Sequence, residues 1–171
     1  MEKLEKFNPE QMEIVNNSAA MAEELVSDFY KMSASQWLRP KYDIKTLVDL
    51  SPDEIVYGPF AQIIRYGGQR KDSPLGSSAY DYYKICLQDQ TILSTLRKSS
   101  QIKLFPFILY IVTHELIHIV RFSKFLQRFN VSNEEMIEEE ARVHEVTREL
   151  LLVVRVSGVK NVLKFYEKWS L

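Results

Sequence analysis

Apolar residues recur every three or four positions at Met12, Val15, Ala19, Ala22, Val26 and Phe29, with polar residues between them, which is the spacing of one helix face. Asn8 followed by Pro9 supplies an N-cap and a proline at the first helical position, so a first helix is expected from about 9 to 36, ending at "LRPKYD". "SPDE" at 51–54 has the capping-box pattern and predicts a short helical turn, stopped by Gly58 and Pro59. The period then changes. "FAQIIRYGG" is rich in β-branched and aromatic residues, and in "YDYYKICLQ" Tyr83, Ile85 and Leu87 alternate with Lys84 and Cys86. Two neighbouring strands or a small β-hairpin are expected there, around the loop "QRKDSPLGSS", with Tyr80, Tyr82 and Tyr83 as strand residues packing on a sheet.

From Leu93 the helical pattern returns, and one long element reaching about Phe129 is expected, with Pro106 near its first turn. "FNVSNEEM" reads as a turn with Ser132 or Asn133 as N-cap and Glu134 and Glu135 at the positive end of a helix running to about Val156. A last, shorter helix follows Gly158. The fold class expected is α+β and mainly helical, in a single domain spanning 1–171.

Composition narrows the function. The chain is 46% hydrophobic and 26% charged with a formal net charge of -1, which argues against a nucleic-acid binder. The lone Cys86 excludes an internal disulfide framework, and "MEKLEKFNPEQ" lacks the apolar core of a signal peptide, so a cytoplasmic location is expected. The longest apolar run, Leu104 to Val120, is interrupted by His114, Glu115 and His118 and is read as a core helix rather than a membrane span.

Those three residues carry the chemistry. Histidines four apart on a helix share one face with Cβ atoms about 5–6 Å apart, so two imidazoles can converge on one metal ion at about 2.0–2.1 Å. Glu115 points about 100° away from His114, beside the metal rather than onto it, where it can take a proton from a bound water. Satisfied core histidines beside a surface glutamate would be the bland alternative. Burying two imidazoles and a carboxylate in "ILYIVTHELIHIV" without partners is costly, which favours the metal site.

The stretch His114-Glu115-Leu116-Ile117-His118 resembles the active-site helix of the zincin metallopeptidases. The glycine and third histidine of the metzincin continuation are absent from "HELIHIVRFSKF", so the resemblance is to gluzincins, in which a glutamate on the following helix is the third ligand. The family resemblance implies a zinc ion, a peptide or protein substrate, and Glu115 as general base. It also implies an edge strand before the active-site helix onto which an extended substrate adds, a place "YDYYKICLQ" occupies by its order in the chain.

The third ligand lies in "EEEARVH". Helical phasing puts Met136, Val143, Val146, Leu150 and Val154 on the inward face, widened by Ile137, Ala141 and Leu151, and Glu140 and His144 fall within it. Glu138, Arg142, Glu145 and Glu149 fall opposite and Glu139 at the margin. Burial thus selects Glu140, whereas the spacing usual in the family selects Glu138. His144 is a neighbour that holds a ligand or stabilises the transition state, or is itself the third ligand. Arg121, one turn after His118, suits pairing with Glu140, anchoring a substrate carboxylate or polarising an oxyanion, or else a surface pair. Glu23 and Glu24 read as solvated surface. Two other functions fit the same residues: a regulatory protein that keeps a zincin fold without cleaving peptides, and a di-iron carboxylate bundle, for which Glu115-x-x-His118 is one of the two motifs required.

Overall fold

The computed structural model describes residues 3–33, 41–69, 79–124 and 132–168. Among them are a first helix α1 (Pro9–Tyr30), strands β1 (Lys41–Lys45), β2 (Ala61–Gln69) and β3 (Ala79–Leu87), and helices α2 (Asp89–Lys98), α3 (Leu104–Lys124), α4 (Asn133–Leu152) and α5 (Val159–Glu167). The fold is α+β and mainly helical, as the periodicities predict.

Capping residues set the helix starts. Asn8 accepts from Gln11 N–H at 2.8 Å while the Gln11 side chain accepts from Asn8 N–H, a reciprocal box ahead of Pro9. Ser132 caps α4 by accepting from Glu135 N–H, and Ser51 and Glu54 form the predicted box on a one-turn 3₁₀ helix, Pro52–Glu54. α1 stops earlier than the expected position near 36. Lys31 adopts a left-handed conformation (φ 52°), and Met32 N–H returns to Ser27 O at 2.8 Å, closing the helix end in a Schellman arrangement. The residues from 34 to 36 lie outside those described. α4 ends at Leu152 rather than near Val156.

The helical pattern expected from Leu93 to about Phe129 falls into two helices, the second of which has Pro106 in its first turn as expected. Ser99, Ser100 and Gln101 present no apolar side chain, and the chain turns there, with Ile102 N–H bonded to Ser99 O at 3.0 Å and Ile102 buried. α3 then starts afresh with the Phe107 N–H to Lys103 O bond, which leaves Pro106 in the first turn, where it displaces no helical donor. Gly158 caps α5 with φ 91°, and a Cβ on it would come within 3.1 Å of Pro106 Cγ.

The sheet order is β1-β3-β2, with β1 parallel and β2 antiparallel to β3. The expected β2–β3 hairpin is present. β1 was not predicted, because "KYDIK" carries an alternation only five residues long. Its pairing of Tyr42 with Tyr83 and Ile44 with Ile85 makes β3 the central strand. β3 therefore cannot be the edge that accepts a substrate strand, since both its sides are already paired; among the described residues the edge strands of the sheet are β1 and β2.

α3 runs through the centre. Phe107 to Val112, Leu116, Ile117, Ile119 and Val120 are all buried, as a helix apolar on every side must be. Leu104–Ser123 is long and apolar enough to cross a membrane, and 78% of its apolar window is buried inside the protein. α1 covers one side with the small residues Ser18, Ala19 and Ala22, and Ser18 Oγ donates to Phe105 O at 2.8 Å. Tyr83, Ile85 and Leu87 of β3 join the same core. Asp89, buried at the start of α2, accepts from Phe7 N–H and Leu47 N–H, each at 2.9 Å, and so ties the segment before α1 to the segment after β1.

Candidate metal centre

α3 and α4 bring three side chains to one point. His114 and His118 are buried on one face of α3, their Nε2 atoms 3.2 Å apart. Glu140 of α4 lies across from them, with Oε1 2.7 Å from His118 Nε2 and Oε2 3.1 Å from His114 Nε2. These three residues form a group whose ligand atoms can hold a metal ion. Four ligands at 2.0–2.1 Å in a tetrahedron stand about 3.3 Å apart. Two of the separations, 3.2 and 3.1 Å, fall slightly inside that value and the third, 2.7 Å, is the length of a direct hydrogen bond; two imidazoles with a carboxylate are a donor set suited to zinc and to other first-row metals. The residues present therefore fit a metal ion without selecting which one.

Aromatic rings set the imidazole planes. His118 stacks on Phe122 with centroids 5.7 Å apart, and Phe122 stacks on Tyr83 of β3 at 6.1 Å. On the other side Tyr110, four residues before His114, stacks on Tyr166 of α5 at 3.7 Å and lies 5.9 Å from His144. The Nδ1 atoms of His114 and His118 are buried without a partner among the described residues. That departs from the usual metal site, where the second ring nitrogen donates to a carboxylate or carbonyl.

Electrostatics separate the carboxylates. Burial pushes Glu115 up to about 7, Glu140 adds to the rise and His118 opposes it. Burial pulls Glu140 in the same direction, but hydrogen bonds from His114 and His118 overcome it and hold that carboxyl far below the ordinary range. Burial lowers His114, while for His118 it is outweighed by the hydrogen bond to Glu140 and by neighbouring carboxylates, which raise it. His144 is lowered to about 4, by burial first and then by the charge of His114.

Most of the predicted residues meet here. Glu140 faces both imidazoles, whereas Glu138 is exposed. His144 sits beside the group, its Nε2 3.6 Å from Glu140 Oε2, beyond hydrogen-bonding distance. Arg121 is the correction. Its guanidinium grips Glu139 instead of Glu140, through Nε and through Nη2 at 2.9 Å, and both side chains are largely buried. The expected pairing of Arg121 with Glu140 is therefore not made; its partner is the neighbouring Glu139.

The inward face of α4 shifts accordingly. Glu139, Val143, Thr147, Leu150 and Leu151 are buried, while Met136 and Ile137, expected inside, are 48% and 69% exposed. Glu24 is exposed as expected, but Glu23 is partly buried and accepts a hydrogen bond from Tyr42. A second metal-ligating group of the kind a di-iron bundle needs is absent among the described residues, and α3 packs on a sheet as well as on helices.

Tyr110 and Tyr166 were missed. Tyr110 carried a signal, since it stands at i−4 from His114 and so shares its face. Tyr166 carried none, because only the folding back of α5 brings it to the site. No protein-family model, no curated protein and no solved structure matches the chain.

Proposed function

We propose that the chain is a small zinc-dependent metallopeptidase of gluzincin type, with His114, His118 and Glu140 as ligands and a peptide or protein as substrate. The observation that carries this reading is the Glu140 carboxylate bridging two histidines of an H-E-x-x-H helix, with Glu115 of the same helix left outside the ligand set. A zincin-like fold belongs to the same reading, supported by the order of a β-hairpin, the motif helix and a glutamate-bearing helix. Zinc, when bound, acts as a Lewis acid toward a peptide carbonyl and acidifies water.

The rest of the work falls to this chain's own groups. Glu115 makes no hydrogen bond or ion pair among the described residues, so its carboxylate is available to take a proton from the attacking water and pass it to the leaving amine. Burial keeps its affinity for a proton high, which offsets the acidifying influence of a nearby cation. Among the described residues β1 and β2 are the edge strands, the places where an extended peptide can add by main-chain hydrogen bonds. A cytoplasmic setting is part of the proposal, in keeping with a cysteine that is single and buried.

The test is cleavage of a peptide library by the purified, zinc-loaded chain beside Glu115→Gln. Cleavage by the wild type and none by a variant that retains zinc is the expected result. Equal cleavage by both would assign the activity elsewhere, and no cleavage by either would favour a protein that binds metal without hydrolysing peptides.

A further inference from the structure

The contact between Tyr110 and His144 fixes where one proton sits. Tyr110 is buried, and its hydroxyl lies 2.6 Å from Nδ1 of His144 with no other hydrogen-bond partner among the described residues. If Nδ1 carried the proton, the hydroxyl would accept it, and the phenolic hydrogen would be left unpaired in the interior. If the hydroxyl donates, that hydrogen is used and Nδ1 is the acceptor.

The far side of the ring favours the same arrangement. His144 Nε2 is 3.6 Å from Glu140 Oε2. A lone pair on Nε2 would face the carboxylate's own lone pairs, whereas an N–H there faces them favourably. A tyrosine hydroxyl carries its proton at neutral pH and so is able to donate.

We propose that Tyr110 is a positioning residue whose hydroxyl donates to Nδ1 of His144 and holds that ring as the neutral Nε2–H tautomer, an N–H donor at the open side of the metal centre. The open side is identified by exposure: the side chains of His114 and His118 are 9% and 8% exposed, those of His144 and Glu140 27% and 45%. In this tautomer His144 has no Nε2 lone pair to offer, so it is not a ligand, and the set closes at two histidines and Glu140. On the metallopeptidase reading, on which this last role rests, the N–H meets the carbonyl oxygen of the substrate as it gains negative charge.

The chain has three histidines, which makes the proton directly readable by NMR on protein labelled with ¹⁵N-histidine, with His144→Gln to assign the ring. At neutral pH, long-range ¹H–¹⁵N spectra should place the His144 proton on Nε2. Tyr110→Phe, which retains the ring that stacks on Tyr166, should give a mixture of both tautomers and lower kcat about 10-fold with KM and zinc content unchanged. A wild-type His144 protonated on Nδ1 overturns the proposal without any variant, as does an unaltered tautomer or an unaltered kcat in Tyr110→Phe. Failure of the metallopeptidase reading would look different: neither protein would cleave peptide, whether or not it held zinc, while the spectrum would still report the tautomer.

Discussion

The Glu54 cluster on the outer face of the sheet and the Glu140 cluster between α3 and α4 both gather ionisable side chains, but they differ in what is left over. At Glu54 the Lys84 ammonium lies 2.8 Å from each oxygen, Ser51 N–H donates to Oε1 at 2.9 Å and the Tyr66 hydroxyl to Oε2 at 2.7 Å. Arg121 and Glu139 close on each other in the same manner. At the Glu140 cluster three ligand atoms converge instead, and two ring nitrogens have no partner among the described residues. A closed cluster specifies structure, while a convergent and incompletely satisfied one marks a place shaped for something else.

The largest effect that separates the two kinds is on chemistry. Glu115→Gln should retain zinc and lower kcat/KM by about 10²–10⁴-fold, measured on whichever peptide the wild type cleaves. A loss of zinc in that variant would instead make Glu115 a ligand. Next come the adjacent glutamates of α4. Glu139→Ala leaves Arg121 buried and unpaired, and urea denaturation should show a loss of about 3–5 kcal/mol. Zinc content per folded chain should not change, and if zinc were lost with Glu139 the division between structural and ligand carboxylates would collapse.

A smaller effect belongs to pH. The hydrogen bond from Lys84, with that from Ser51 N–H, holds Glu54 down at about 2 against the opposing pull of burial. A carboxyl lowered on folding contributes stability that is full above its ordinary value of 4.5 and disappears as pH falls through the folded value. Stability should therefore drop as the solution is acidified from about 4.5 toward about 2, and Glu54→Gln should flatten that part of the profile. An identical acid limb in both proteins would mean that Glu54 is not closed in solution. The smallest effect is expected at the exposed first turn of α4, where Met136→Lys should change stability by no more than about 0.5 kcal/mol. A large loss there would return Met136 to the inward face.

What was legible in the sequence was local. Capping chemistry at Asn8-Pro9, at "SPDE" and at Ser132 located three helix starts, because a side chain and a backbone N–H three residues on decide each one. The i,i+4 histidines and the phase of α4 placed Glu140 toward them. The illegible parts depend on distant segments. Five residues of β1 carry too short an alternation to announce a strand, and only its parallel pairing makes β3 central. The turn at Ser99–Gln101 is hidden because the apolar residues on either side keep a helical spacing across it. Arg121 could be given a partner on the next helix, but whether Glu139 or Glu140 receives it is settled by a rotation of α4 smaller than the phase of an apolar pattern can fix.

Zinc content of the purified protein by plasma mass spectrometry, in the wild type, Glu140→Ala and Glu138→Ala, tests the metal centre most directly. About one zinc per chain in the wild type and in Glu138→Ala, with none in Glu140→Ala, is the result expected of two histidines and Glu140 converging on one ion. Zinc retained by Glu140→Ala and lost from Glu138→Ala, or absent from all three after incubation with zinc, would contradict it.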